Sequence, residues 1–387
     1  MDVTLTGAAI SELATLVAFD TTSRLSNLEL IAYLEARLGP LGFRLTRLPD
    51  PGMAKANLLA SIGPDLSGGL VLSGHTDVVP VDGQDWSSDP FTLRAGEGRL
   101  YGRGTADMKG FLACVLALAP TLEAARLARP LHLAFSYDEE VGCKGVPGLI
   151  AHMGARVPRP RLAVIGEPTS MRLVNANKGI VAVRTEITGH EAHSSQTHRG
   201  LSAIGIAAEL MGFLAGIAEE MRGRGDPSGR FEPPYTTLNI GQIEGGTATN
   251  IIARHCTLCW EYRPLPGTDE DEIFRRFSER AAAIEAREKD RFPMARIAVT
   301  RGHRVPGLTP LEGSDAESLA MRALGTNHAA AVSYAAEAGL FQQAGIPSVI
   351  CGPGDIAQAH KTDEYVEEDQ LAACLAFLDA LCTDLYA

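Results

Sequence analysis

The sequence predicts an α/β fold with a mainly parallel central sheet, interrupted by a smaller α+β segment. Short apolar runs stand between Gly- and Pro-containing segments, and helical stretches separate them, an alternation typical of α/β proteins. Such runs, which lack polar alternation, favour strands buried on both faces. The middle of the chain instead reads strand–helix–strand–strand–helix–strand, which predicts a compact insert.

The α/β part contains both helices and buried strands. An amphipathic helix is predicted between Ser26-Asn27 and Gly39, with a cap at each end. A second helix is predicted over residues 109–128, with a kink at Pro120, and a last one from Glu367. The buried strands are short apolar runs, at residues 70–72, 131–135, 162–165 and 348–350.

The insert is predicted to occupy residues 180–301. Its elements alternate as described, with strands at 180–187, 236–243, 251–262 and 295–300 and helices at 201–221 and 268–287. The α/β pattern resumes after it. The chain is therefore predicted to form one discontinuous α/β domain, residues 1–179 and 302–387, around the insert.

The composition excludes several classes of protein. Hydrophobic residues make up 45% and charged residues 21% of the 387, which argues against extended disorder. The net charge of −12 disfavours nucleic acid and anionic membrane as partners. No cationic segment with a following apolar run is visible near the first residues, and the seven cysteines are widely spread. We therefore expect a cytoplasmic protein with free thiols.

Chemistry-bearing side chains follow the predicted strands. His75, in Ser-Gly-His-Thr-Asp, follows the strand at 70–72, and Asp77 two residues later is expected to reach the other nitrogen of its ring. The alternative for this motif is a turn histidine beside a capping aspartate. Asp107 follows a Gly-rich turn before a helix, where an N-cap role is the alternative.

Acids follow two further strands, and a second histidine follows the last one. Glu139 and Glu140 stand in an acidic run after the strand at 131–135, for which a solvated loop is the alternative. Glu167 directly follows another strand, and His360 follows Gly352-Pro353-Gly354. Because sites in α/β sheets lie at the carboxyl ends of strands, we expect these side chains to converge.

Together these residues predict a two-metal hydrolase. Five of them, His75, Asp107, Glu140, Glu167 and His360, form a set of His, Asp and Glu ligands that suits two zinc ions bridged by a carboxylate. Cobalt suits the same donors. Glu139 remains as a general base that passes a proton from water to the leaving amine, so amide hydrolysis is the expected chemistry.

These motifs resemble, in order and spacing over nearly the whole chain, the family of two-zinc aminoacylases and exopeptidases that includes succinyl-diaminopimelate desuccinylase and glutamate carboxypeptidase. The resemblance implies that Asp107 bridges the ions, with His75 and Glu167 at one and Glu140 and His360 at the other. It further implies a cis peptide after Asp107 and a supporting role for Asp77 behind His75.

The insert shares motifs with the lid domain of this family. Gly189-His190-Glu191-Ala192-His193 implies that His193 polarises the substrate carbonyl, in some members from the partner subunit of a dimer. The resemblance also implies Asn250 as a substrate contact and Arg263 as a clamp for a substrate carboxylate. Residues 180–301 are thus predicted to be a lid and homodimerisation domain.

Three stretches, among them the segment from Cys351 to His360, are most similar to acetylornithine deacetylases within the family. The resemblance implies hydrolysis of N2-acetyl-L-ornithine in arginine biosynthesis, with Glu337 binding the substrate amine; a helix-start acid is the alternative for Glu337. A desuccinylase, a carboxypeptidase and a non-catalytic metal-binding protein remain as alternative functions. A serine hydrolase is disfavoured because no G-x-S-x-G turn is visible.

Overall fold

A computed structural model describes residues 3–386. The domain predicted at 1–179 and 302–387 also includes residues 1, 2 and 387, which lie outside the described residues. Its α-helices, in chain order, are α1 (Val3–Val17), α2 (Leu28–Leu38), α3 (Gly110–Leu118), α4 (Val146–Arg156), α5 (Ala203–Arg224), α6 (Glu272–Lys289), α7 (Asp315–Leu324), α8 (Ala338–Gln343) and α9 (Glu368–Thr383).

The strands are β1 (Arg44–Pro49), β2 (Ala56–Ile62), β3 (Leu70–His75), β4 (Arg94–Gly96), β5 (Arg99–Tyr101), β6 (Leu131–Ser136), β7 (Leu162–Ile165), β8 (Val174–Asn177), β9 (Ile180–Thr188), β10 (Thr237–Gly245), β11 (His255–Arg263), β12 (Arg296–Val305), β13 (Ala330–Val332), β14 (Ser348–Ile350) and β15 (Tyr365–Glu367). No helix within residues 3–386 is long and apolar enough to span a bilayer.

The chain folds into two compact units. The smaller unit comprises Asn177–Gly307 and Val332–Ala335, and the larger unit comprises the chain before it, Leu308–Ala331 and the chain from Ala336 onward. The boundaries predicted at residues 179/180 and 301/302 fall a few residues inside the smaller unit.

The larger unit contains an eight-stranded sheet in the order β1-β2-β6-β3-β7-β14-β8-β13. Its four central strands, β6, β3, β7 and β14, are parallel to one another, whereas β2 pairs antiparallel with β1 and β6, and β8 pairs antiparallel with β14. Every residue of the four central strands is buried, because helices cover the sheet and the strand sequences are apolar. The predicted fold class is confirmed.

Two local predictions differ from the structure. The helix predicted over residues 109–128 ends at Leu118, and Pro120 lies in a separate short 3₁₀ turn, since proline lacks the N–H that would continue the helix. Asn27 does not cap α2 with its side chain, which instead donates to the Ala56 carbonyl and to Thr76 Oγ1. The asparagine therefore connects the helix start to β2 and to the end of β3.

The smaller unit has the predicted element order. Four antiparallel strands form a sheet in the order β10-β11-β9-β12, and α5 and α6 pack against it. A core separate from that of the larger unit holds it together, with Trp260 and Phe277 in ring contact at 4.6 Å between centroids. Strand β11 alternates buried and half-buried residues, as expected for a sheet covered on one face.

Candidate metal centre

The carboxyl ends of the four parallel central strands lie side by side at one edge of the sheet. His75 is the last residue of β3, Glu139 and Glu140 follow β6, Glu167 follows β7, and the loop after β14 leads to His360. Parallel neighbours end at the same edge, so side chains that are up to 285 positions apart in sequence (360 minus 75) converge there.

His75 is held by its own strand end. Its Nδ1 donates to the backbone carbonyl of Asp77 at 2.9 Å, which leaves Nε2 free as a ligand atom. The sequence prediction placed the Asp77 carboxylate on that nitrogen, but its Oδ1 lies 3.7 Å away. The carboxylate has other partners: Ser23 Oγ donates to it at 2.7 Å, and the N–H groups of Glu139 and Glu140 donate at 3.0 and 3.3 Å. Asp77 therefore holds the β3 and β6 ends together.

Asp107 lies between the two histidines. It belongs to an irregular turn, Thr105–Lys109, that precedes α3, and its peptide bond to Met108 is cis, as the resemblance implied. Oδ1 lies 3.0 Å from His75 Nε2 and Oδ2 lies 3.3 Å from His360 Nε2. The two oxygens of one buried carboxylate thus face two different imidazoles, the arrangement that a bridging ligand needs.

The three acids that follow β6 contact different partners. Asp138 forms an ion pair with Lys55 away from the centre. Glu140 points toward His360, with Oε2 3.0 Å from Nε2. Glu139 accepts a hydrogen bond from the Cys143 thiol at 3.3 Å. The run is therefore not a solvated loop, since each acid has its own partner.

Glu167 supplies the observation that best tests whether ions fit. Its Oε1 is buried and has no hydrogen-bond partner within the described residues, although it lies 4.0 Å from His75 Nε2. A buried carboxylate oxygen without a donor is costly unless a cation occupies the space beside it.

The spacing of the donor atoms also fits. Two atoms each about 2.1 Å from a tetrahedral ion lie roughly 3.4 Å apart, and the donor pairs here are separated by 3.0, 3.0, 3.3 and 4.0 Å. Donor atoms lie mutually within 4.8 Å in two groups, one of His75, Glu139 and Glu167 and one of His75, Asp107 and Glu140. The chemistry and the spacing of this set suit divalent ions.

The electrostatics show an excess of acids that a cation would relieve. Burial raises the pKa of Glu139 to about 8 and that of Glu140 to about 7, and it also raises the pKa of Glu167 well above its usual value. Hydrogen bonds to Asp107 and Glu140 raise the pKa of His360 to about 10. Bound cations would displace the protons that these groups otherwise retain.

Glu337 lies buried beneath the same edge, with 1% of its surface exposed. Ser73 Oγ donates to one of its oxygens at 3.1 Å, and Ser136 Oγ donates to the other. Glu337 stands at the N-cap position of α8, as the alternative of a helix-start acid expects, but its carboxylate makes no capping hydrogen bond to the helix. The contacts to β3 and β6 favour a supporting position over contact with a substrate amine.

Three predicted residues lie in the smaller unit. His193 is exposed, and its segment pairs with that of Asn250: the Ser194 N–H donates to the Asn250 carbonyl at 3.0 Å. Arg263 forms an ion pair with Glu261 at 3.1 Å and ends β11. The His193 segment pairs with Ile251, which precedes the first residue of β11, whereas Arg263 is the last residue of β11. The strand between these two ends is roughly 27 Å long.

Sequence reasoning missed the role of Cys143. All seven cysteines are free thiols, and within residues 3–386 only the thiol of Cys143 donates to an acid of the centre. Its position four residues after Glu139 was the one available signal. The thiol remains protonated because burial raises its pKa well above the usual value.

Comparison with known proteins now identifies the family. Residues 71–384 match the sequence model of Peptidase family M20/M25/M40. The chain belongs to this family. M20 proteins are hydrolases that act on amide bonds, which agrees with the predicted reaction class.

Two solved structures have a similar fold, and one relative is similar in sequence over most of its length. An M20 metallocarboxypeptidase from Sulfolobus solfataricus is 18% identical, with 100% of this chain and 99% of that chain covered and a TM-score of 0.77. The Bacillus subtilis YXEP protein, a dinuclear metal binding M20 peptidase, is 15% identical at 99% coverage of both chains and a TM-score of 0.68. An acetylornithine deacetylase from Myxococcus xanthus is 39% identical over 371 residues, 95% of this chain and 94% of that protein.

Proposed function

We propose that this M20 protein is a two-zinc acetylornithine deacetylase, which hydrolyses N2-acetyl-L-ornithine to L-ornithine and acetate in arginine biosynthesis. The observation that carries the hydrolase part is the convergence of two imidazoles and four carboxylates at one sheet edge, with a buried Glu167 oxygen that lacks a donor. The likeness to the Myxococcus xanthus enzyme over 95% of the chain supports the substrate.

The donor geometry supports one assignment of ligands. His75 and Glu167 would hold one ion, Glu140 and His360 the other, and Asp107 both, since its two oxygens face the two histidines separately. Zinc matches a set of His and carboxylate donors, and cobalt would bind the same set. Bound ions would polarise the amide carbonyl and lower the pKa of the attacking water.

Glu139 is the proposed general base. It lies next to the ligand Glu140 in sequence, but its own oxygen is bonded to a thiol and not to a histidine. It would take the proton from water and deliver it to the nitrogen of the leaving amine. Asp77 would support both His75 and Glu139, because its carbonyl accepts from the His75 ring and its carboxylate accepts from the Glu139 N–H.

His193, Asn250 and Arg263 are proposed to contact the substrate from the smaller unit. The length of β11, at whose far end Arg263 lies, is greater than that of an acylated amino acid, so we propose that one substrate does not touch both residues in a single copy of this unit. This separation supports a homodimer in which the two residues at one site come from different subunits. We further propose that the dimer is cytoplasmic.

A substrate panel tests the proposal. The zinc-loaded protein is expected to hydrolyse N2-acetyl-L-ornithine with a kcat/KM at least about tenfold above those for succinyl-diaminopimelate and acetylmethionine, since each 1.4 kcal/mol of extra transition-state binding gives tenfold. The measurement is release of the free amine, with metal content determined on the same samples. Equal rates would contradict the narrow substrate and leave the amide hydrolase, whereas no hydrolysis by protein with full metal would contradict both.

Removal of the Cys143 thiol is expected to lower kcat only modestly. Replacing Cys143 with Ala removes the donor to Glu139 and is expected to lower kcat roughly 3–10-fold, the worth of one hydrogen bond. Cys143→Ser keeps a donor and is expected to retain most of the activity. The metal content of both variants should match that of the parent protein. An alanine variant with unchanged kcat would show that the thiol does not orient the base.

A further inference from the structure

A buried ion pair behind the candidate metal centre has no part in the proposed chemistry. Arg103 and Glu364 are each 1% exposed, and Arg103 Nη1 lies 2.6 Å from Glu364 Oε2. A buried ion pair of this kind contributes little to stability compared with apolar residues of the same volume. The role of the pair is therefore better inferred from the other groups to which Arg103 and Glu364 are hydrogen-bonded.

The Glu364 carboxylate binds the turn that carries Asp107. The N–H groups of Ala106 and Asp107 donate to Oε1 at 2.9 and 3.1 Å, and the N–H of Gly104 donates to Oε2 at 3.1 Å. Three backbone donors and one guanidinium thus surround a single carboxylate. Because the Asp107 N–H is itself among the donors, Glu364 directly contacts the backbone of the proposed bridging ligand.

Arg103 and Gln84 extend this network to the other end of the centre. Arg103 Nη2 donates to Gln84 Oε1 at 2.6 Å, and Arg103 Nη1 also lies 3.3 Å from the Lys361 carbonyl. Gln84 Nε2 donates to the His360 carbonyl at 3.0 Å. One chain of hydrogen bonds therefore runs from the Asp107 backbone through Glu364, Arg103 and Gln84 to the His360 backbone.

The His360 loop needs such support. His360 has a φ of +64°, and Asp363, three residues on, has a φ of +53°, a region that side-chain-bearing residues rarely adopt. Residues in this region persist only where their surroundings hold them. The carbonyls of His360 and Lys361 are held by Gln84 and Arg103, respectively.

We propose that Gln84, Arg103 and Glu364 are positioning residues that fix His360 relative to Asp107, and so set the metal affinity of the position formed by Asp107, Glu140 and His360. This inference rests on the proposed two-metal function. Gln84 has no hydrogen bond in the structure to the segments that carry His75 or Glu167, so its effect should be confined to the His360 position.

The experiment uses Gln84→Met, which keeps the length of the side chain and removes its hydrogen bonds without a change of charge. Metal-free protein is titrated with Zn²⁺ against a chromophoric chelator to resolve two binding constants. We expect one constant to weaken about 10–100-fold, the usual effect of losing a group behind a ligand, and the other to stay within about twofold. Asp85→Asn is the control, because this neighbour is exposed and its side chain forms no hydrogen bond or ion pair with residues 3–386.

His360→Ala identifies the constant that belongs to the His360 position. Adding Gln84→Met to that variant should have no further effect on the remaining constant, as expected for residues that act on one site. Two unchanged constants in Gln84→Met, or an equal fall in both, would overturn the inference while the two-metal function stands. A parent protein that binds fewer than two ions would instead contradict the proposed function.

Discussion

Replacing Glu139 with Gln is expected to lower the rate of amide hydrolysis by roughly 10²–10⁴-fold, the usual contribution of a general base. The amide has the size of the carboxylate but cannot accept the proton of the attacking water. The five proposed ligands remain, so the metal content should stay near that of the parent protein. The measurement is kcat for acetylornithine together with metal stoichiometry on the same preparation.

The same substitution one residue later is the matched control. Glu140→Gln removes an oxygen that lies 3.0 Å from His360 Nε2 and is expected to lose both activity and one metal ion. The donor group that contains His75 and Glu167 also includes Glu139, so the geometry alone allows Glu139 to be a ligand. Loss of metal from Glu139→Gln would assign it that role, and retained activity would remove it from the mechanism.

Removing the metal is expected to abolish hydrolysis and to make the stability of the protein fall as pH rises. In the metal-free protein the pKa of Glu139 is about 8 and that of Glu140 about 7, against 4.5 in an ordinary glutamate. Between about pH 5 and about pH 8 the folded chain therefore binds more protons than the unfolded chain, and the free energy of unfolding decreases with pH.

The two other titrating groups at the Asp107 end of the candidate metal centre do not reverse this sign. The raised pKa of His360, about 10, means that its protonated form also stabilises the fold below that value and that this contribution declines above about pH 6.5. Burial would raise the pKa of Asp107, but hydrogen bonds from His360 and His75 lower it below the usual range. That shift affects stability only at more acidic pH.

Thermal unfolding of metal-free and zinc-loaded protein across this pH range measures the effect. The Tm difference between the two forms should widen as pH rises, because bound cations replace the protons that the acids retain. Glu167→Gln removes one acid that has a raised pKa, so its metal-free form should lose less stability over the same range. A metal-free Tm that increases between about pH 5 and pH 8 would contradict this account.

The sequence was sufficient to predict the sheet and the edge at which the site lies. The apolar runs that became β3, β6, β7 and β14 were recognisable because strands buried on both faces lack the alternation of polar and apolar residues, and each run is followed by a motif. His75, Asp107 and His360 were therefore expected close together, and in the structure the Asp107 carboxylate lies 3.0 Å from His75 Nε2 and 3.3 Å from His360 Nε2. Their roles as ligands stay a prediction.

The sequence did not reveal the contacts of Glu364 and Asp77, because no local sequence pattern indicates them. Glu364 binds the turn at Asp107 across 257 positions, and no periodicity relates the two segments. Asp77 was assigned to the ring of His75 because residues two apart share a face of a strand, but β3 ends at His75, so Asp77 lies outside the strand. The carbonyl of Asp77, and not its carboxylate, consequently meets the ring.

The position of β14 in the sheet affects how the protein is made. This strand lies between β7 and β8, yet it is synthesised about 170 residues after them. A growing chain that has produced β3, β6 and β7 already carries the clustered acids but lacks both the strand that completes the sheet and the second imidazole. Because domains generally fold as units during synthesis, we expect this sheet to be completed only after nearly the whole polypeptide has left the ribosome.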